Sequence, residues 1–165
     1  MAKDFIQNEP REGQPSTEVS EVRVLYDNDN IYFGAYLHDS QANRIIISDL
    51  KKDYSGDGGD NFEIVLHTFH DQRNGYIFWT NPAGAKGDSQ MINEGRANNS
   101  NWDAVWYVET SIAADSWIAE IAIPFKTLKF REAEIQTWGI NFHRNLRSNV
   151  RNEDSFWAPL PRIYG

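Results

Sequence analysis

Apolar and polar residues alternate at period two in one segment after another, and no long stretch carries helical spacing. Val22, Val24 and Tyr26 lead into Asp27-Asn28-Asp29-Asn30, residue types that bond their own backbone in turns. Ile31, Phe33, Ala35 and Leu37 then alternate with Tyr32, Gly34, Tyr36 and His38, which predicts a hairpin. Ile45-Ile46-Ile47 reads as a short buried strand. Phe62, Ile64 and Leu66 alternate with Glu63, Val65 and His67, and Asn74-Gly75 marks the turn back into residues 76–81. A strand around 88–92, a surface loop over 93–101 and a hairpin from 102–112 into 117–123 follow. Pro124 ends that hairpin because it cannot donate to a ladder, and 124–130 reads as a short helical turn. Residues 138–146 form a last strand with Asn141, His143 and Asn145 on one face. Short strands separated by turn signals predict an all-β fold: an antiparallel β-sandwich of two packed sheets, jelly-roll or immunoglobulin-like, with little helix. Phe62, Ile64, Leu66, Ile121, Ile123, Ile140 and Phe142 are its expected core.

The chain's 165 residues fit one domain, read as a polar, extended lead-in over 1–20 followed by a single sandwich over 21–165. Sixteen Lys and Arg against 24 Asp and Glu give a net charge of -8, which argues against a nucleic-acid partner. With 0 Cys, a disulfide framework, thiol catalysis and Cys-ligated metal are excluded. No apolar run is long enough to span a bilayer as a helix, and the opening Met1-Ala2-Lys3-Asp4-Phe5 has no apolar signal region.

No catalytic motif stands out. His38, His67, His70 and His143 lack the spacing of a helical zinc site, and neither a nucleophile elbow nor a phosphate loop is present. The loop Asp53-Tyr54-Ser55-Gly56-Asp57-Gly58 starts like an EF-hand, but its twelfth position is Ile64, which supplies no carboxylate. As an ordinary oxygen-rich loop it offers Asp57 and Asp60, with Asp88, as candidate ligands for a structural Ca²⁺. Trp102, Trp106, Trp117 and Trp138 sit in strand patterns and belong to the core. Trp79 shares a face with Ile77, opposite Phe78, and fits either core or surface. Trp157, in a Pro-flanked segment, is the candidate aromatic platform.

The ordered set Asp60-Asn61-Phe62-Glu63-Ile64-Val65-Leu66, Gly75-Tyr76-Ile77-Phe78, Asn81-Pro82-Ala83-Gly84, Trp102-Asp103-Ala104-Val105-Trp106, Trp117 to Phe125 and Trp138 to Arg144 resembles the family 9 carbohydrate-binding modules. The likeness runs from about Val19 to Pro161 and is nearest to the version at the front of large bacterial cell-envelope proteins. The resemblance implies a non-catalytic module that holds a glycan or sugar chain end. Two Trp rings clamp the sugar in such modules while charged and amide groups bond its hydroxyls. By position, the acidic contact falls on Glu63, the amide contact near His143 on the strand that also carries Asn141, and one clamp Trp near Phe156 or Trp157. The other clamp position holds about Asp57, with Tyr54 the nearest aromatic, and the family's Arg position holds Tyr76. Related modules carry structural calcium. The resemblance further implies a larger parent chain, secreted or in the outer membrane or periplasm. Rival readings are an interaction domain that has lost the sugar site and a haem-binding relative of the same fold, for which Met91 is the one internal Met.

Overall fold

The computed structural model describes residues 1–160 except 57, 72, 94, 95, 149 and 150, together with the backbone but not the side chain of Ser148. Eleven strands follow in order: β1 (Ile6–Glu9), β2 (Ser20–Tyr26), β3 (Asn30–His38), β4 (Asn61–His67), β5 (Gly75–Thr80), β6 (Lys86–Ile92), β7 (Ala97–Asn99), β8 (Tyr107–Ile112), β9 (Ser116–Pro124), β10 (Gly139–Ser148) and β11 (Arg151–Phe156). They form two antiparallel sheets: a seven-stranded sheet ordered β1-β11-β10-β4-β5-β6-β7 and a four-stranded sheet ordered β2-β3-β9-β8.

The expected alternation sets which face is inside. Phe33, Ala35 and Leu37 of β3 and Ala119, Ile121 and Ile123 of β9 meet Phe62, Ile64 and Leu66 of β4 and Phe142 of β10 in a common core. Burying these side chains removes apolar area from water, the main favourable contribution to folding. Ile140 packs against this core half-buried rather than inside it. Trp106 and Trp117 are fully buried, while Trp102 and Trp138 pack on the core partly exposed.

Four local readings are corrected. The start of the chain is no free lead-in: β1 pairs with β11, Ile6 opposite Phe156, Phe5 is buried, and Ala2 exchanges backbone bonds with Val22. The alternation of Phe5, Gln7 and Asn8 was too short and polar to read as a strand, yet Gln7 and Asn8 are buried by bonding the Pro15 and Leu160 carbonyls. Ile45–Ile47 is not a strand, and Ile47 is exposed. β4 already has β10 and β5 on its flanks, and β3 has β2 and β9, so neither strand next to it in sequence has a free side to pair with it. Of 102–112 only 107–112 is strand, and the loop over 93–101 contains the three-residue β7.

One end of the sandwich is tied by buried charge. The Arg144 guanidinium, on β10, donates to the carbonyls of Val19 and His38 and to Ser20 Oγ, joining the large sheet to the small one. Beside it Arg151 pairs with Glu18 and Asp39, and Glu153 accepts from Ser16 and Thr17.

Candidate functional site

Because β4 turns Phe62, Ile64 and Leu66 inward, Asn61 and Glu63 face the outer surface of the large sheet. The register then assembles a row. Glu63 lies opposite Trp79 of β5 on one side and His143 of β10 on the other. Asn61 lies opposite Asn145. The β3–β4 connection folds over this row: Asp53 N–H bonds the Lys86 carbonyl, and Asn81 Nδ2 donates to the Asp49 carbonyl. Gly56, with φ +82, makes the bend that brings its carbonyl to Asn145 Nδ2, a conformation that costs other residues energy. The result is a hollow of about 370 Å³ with Tyr54, Glu63, Trp79, His143 and Asn145 on its walls.

Trp79 is fixed on three sides. Its Nε1–H donates to the Tyr54 carbonyl at 3.0 Å, the Tyr54 ring meets it edge-on, and its own ring lies over Gly87, the residue opposite it on β6. A Cβ at Gly87 would come within 2.3 Å of that ring. Tyr54 itself is buried, and its hydroxyl donates to Asn61 Oδ1; burial raises its pKa.

His143 stands between two carboxylates, Nε2 at 3.2 Å from Asp154 Oδ1 and Nδ1 at 3.6 Å from Glu63 Oε1. Burial works against charge on the ring, but bonding to Asp154 and Glu63 outweighs it and raises the pKa to about 9. The ring is therefore an imidazolium at neutral pH. Burial likewise opposes ionisation of Asp154, but bonds from His143 and Arg147 hold its pKa below the usual value. Asn145 is buried, and its Oδ1 has no hydrogen-bond partner although it borders the hollow. Buried acceptors are rarely left so unless a ligand or water completes them.

The other expected site residues lie elsewhere. Tyr76 is on the opposite face of β5, buried against Trp102, with its hydroxyl accepting from Lys129 N–H. It shares the parity of Phe78, not of Trp79, so it points into the core. Trp157 is exposed, packs on Phe142 with ring centroids 5.7 Å apart, and does not border the hollow. Its neighbour Phe156, opposite His143 in register, stacks on that imidazole instead. Asn141 tethers the end of the chain: its amide donates to the Ala158 carbonyl and accepts from Ala158 N–H.

Of the carboxylates expected to hold calcium, Asp88 has both oxygens bonded, while Asp60 has Oδ1 bonded and Oδ2 buried without a partner. Asp88 points to the core side, where Oδ1 accepts from Ala104 N–H and Oδ2 from Trp106 Nε1–H. Asp60 Oδ1 accepts from Arg147 N–H, and burial raises its pKa to about 6 despite that bond and the nearby Arg144. Asp57 lies outside the described residues. Among the described residues no three His, Asp or Glu side chains gather as a metal-ligand set.

The sandwich matches known structures. A family 9 carbohydrate-binding module from Caldicellulosiruptor kristjanssonii, in complex with glucose, superposes with TM-score 0.66 at 14% identity, covering 94% of this chain and 71% of that one. This chain has the family 9 carbohydrate-binding module fold. A family 9 module of the same organism with cellotriose gives TM-score 0.65 at 14% identity, covering 93% and 70%. A Bacteroides uniformis protein to which carbohydrate binding has been ascribed gives TM-score 0.72 at 14% identity, covering 97% and 77%. No protein-family model matches the sequence, and no curated protein does.

Within this family 9 fold, reading the sequence missed Trp79 and Asn145 as lining residues. Asn145 shares the face of His143 and was legible by parity. Trp79 had a weaker signal: counting back through Asn81-Pro82-Ala83-Gly84 sets Trp79 against Gly87, an aromatic laid over a glycine across a hairpin.

Proposed function

We propose that this domain is a non-catalytic carbohydrate-binding module that holds a neutral sugar ring in the hollow on the large sheet. One observation carries the reading: Glu63 is held in register between the Trp79 indole and the His143 imidazolium, with the unpartnered Oδ1 of Asn145 nearby. Trp79 supplies an aromatic surface for the apolar C–H face of a pyranose. Glu63 accepts from sugar hydroxyls, and a charged acceptor bonds them more strongly than a neutral one. His143, itself held by Asp154, faces the Glu63 carboxylate, and Asn145 offers a second acceptor. The charges are paired, Glu63 with His143 and Asp154 with Arg147, which suits a neutral ligand better than a uronic acid. The glucose and cellotriose held by the similar modules support the ligand class.

Calorimetric titration with glucose and cello-oligosaccharides, then with a broader glycan panel, tests this. The expected result is binding that Trp79→Ala and Glu63→Gln both weaken without unfolding the domain. Absence of binding to every glycan at millimolar concentration would instead make the sandwich an interaction domain.

A further inference from the structure

Gly34 lies in the middle of the nine-residue strand β3, where glycine destabilises a sheet. Neither conformation nor packing requires it: its φ is not in the left-handed region, and a Cβ added there meets no atom within 4 Å. It opens a gap in the outer face of the small sheet. Tyr32 and Tyr36, two positions to either side on the same face, stand about 13 Å apart at strand spacing, with only Gly34 between them. The register places Arg23 on one flank of Gly34 and Glu120 on the other, with Glu109 directly opposite Glu120 on the edge strand β8. Tyr32, Gly34, Glu109 and Glu120, with Leu25, 70% exposed, and Tyr107, 60% exposed, line a mostly apolar hollow of about 460 Å³, and Tyr36 and Arg23 lie outside it.

Two carboxylates directly opposite each other repel, and no cation pairs with Glu109 or Glu120 among the described residues. We propose that this hollow docks an extended, basic protein segment, with an arginine or lysine side chain entering the gap over Gly34. The cation meets Glu120 and Glu109 and the face of Tyr32, while apolar parts of the segment cover Leu25 and Tyr107. A second copy of this chain, at net charge -8, has the wrong sign for that role. The proposal is independent of the sugar site, which lies on the other sheet.

The test uses the full chain and a labelled peptide alternating arginine and threonine, with a glutamate-for-arginine counterpart, read by fluorescence anisotropy at about 0.15 M salt. The arginine peptide is expected to bind and the glutamate peptide not. Gly34→Thr, which fills the gap with a strand-favouring side chain, weakens binding about tenfold or more, as does the pair Glu109→Gln with Glu120→Gln. Tyr107→Ser, at an exposed position, gives a second reading should Gly34→Thr fold poorly. Glu63→Gln leaves peptide binding unchanged. Failure of the wild type to bind, equal binding by Gly34→Thr and Tyr107→Ser, or displacement of the peptide by a neutral cello-oligosaccharide would each overturn the proposal.

Discussion

The His143 imidazole lies flat on the ring of Phe156, with centroids 4.2 Å apart and planes 4° from parallel, so its two nitrogens are aimed at Glu63 and Asp154. That aim has a pH signature. The folded-state pKa is raised from 6.5 to about 9, so the stability His143 contributes is fully present below pH 6.5 and is lost as pH rises through about 9. At 1.36 kcal/mol per unit the effect is on the order of 3 kcal/mol. Urea midpoints across this range should fall for the wild type and stay flatter for His143→Gln. Equal slopes for the two proteins would show that the ring does not hold its proton.

Trp79→Ala should weaken sugar binding by about 2 kcal/mol, roughly thirtyfold, as loss of a central aromatic contact does. Trp157→Ala, which removes a ring packed on Phe142, should change affinity little and lower the melting temperature. Gly87→Ala should act like a mild Trp79 variant, because the added methyl displaces the indole. Titration of the three variants with one ligand separates these outcomes, and a larger loss for Trp157→Ala would move the platform there.

Asp88→Ala should destabilise the fold by about 2–5 kcal/mol, since it leaves the Ala104 N–H and Trp106 Nε1–H buried without acceptors. This loss needs no metal. Melting with and without a chelator is expected to give the same curve for wild type and variant alike. A chelator-dependent drop in the wild type that vanishes in Asp88→Asn would place a cation on this carboxylate.

Arg144→Ala should cost about 3–5 kcal/mol, because it strips three bonds between the sheets and removes a buried cation beside Asp60 and Asp39, leaving Arg151 as the partner of Asp39. Arg144→Lys should recover only part, since an ammonium lacks the planar fork that reaches the Val19 and His38 carbonyls together. Chemical denaturation of both variants measures the difference.

The sheets were legible because alternation fixes parity: once Phe62, Ile64 and Leu66 are inward, Glu63 is outward with no further information. The β2–β3, β4–β5 and β8–β9 hairpins followed from turn residues between such runs. What local pattern could not supply was the partner of a strand far away in the chain. His143 and Glu63 are neighbours only because β10 inserts beside β4, and Phe156 reaches His143 only because β11 follows it. Tyr76, which by resemblance holds the family's Arg position, points into the core on the parity of Phe78, and the residue opposite Glu63 on β5 is Trp79. That Asp88 points at backbone and indole N–H groups could not be read from a count of oxygens in a loop.

Pairing of β1 with β11 sets an order for assembly of the domain. Ile6 is opposite Phe156, so β1 has no place in the large sheet until β11 has been made. That pairing spans nearly the whole domain, and such long-range contacts are slow to form. Loss or late arrival of β11 would therefore expose two sticky edges at once, the orphaned β1 and the uncovered flank of β10.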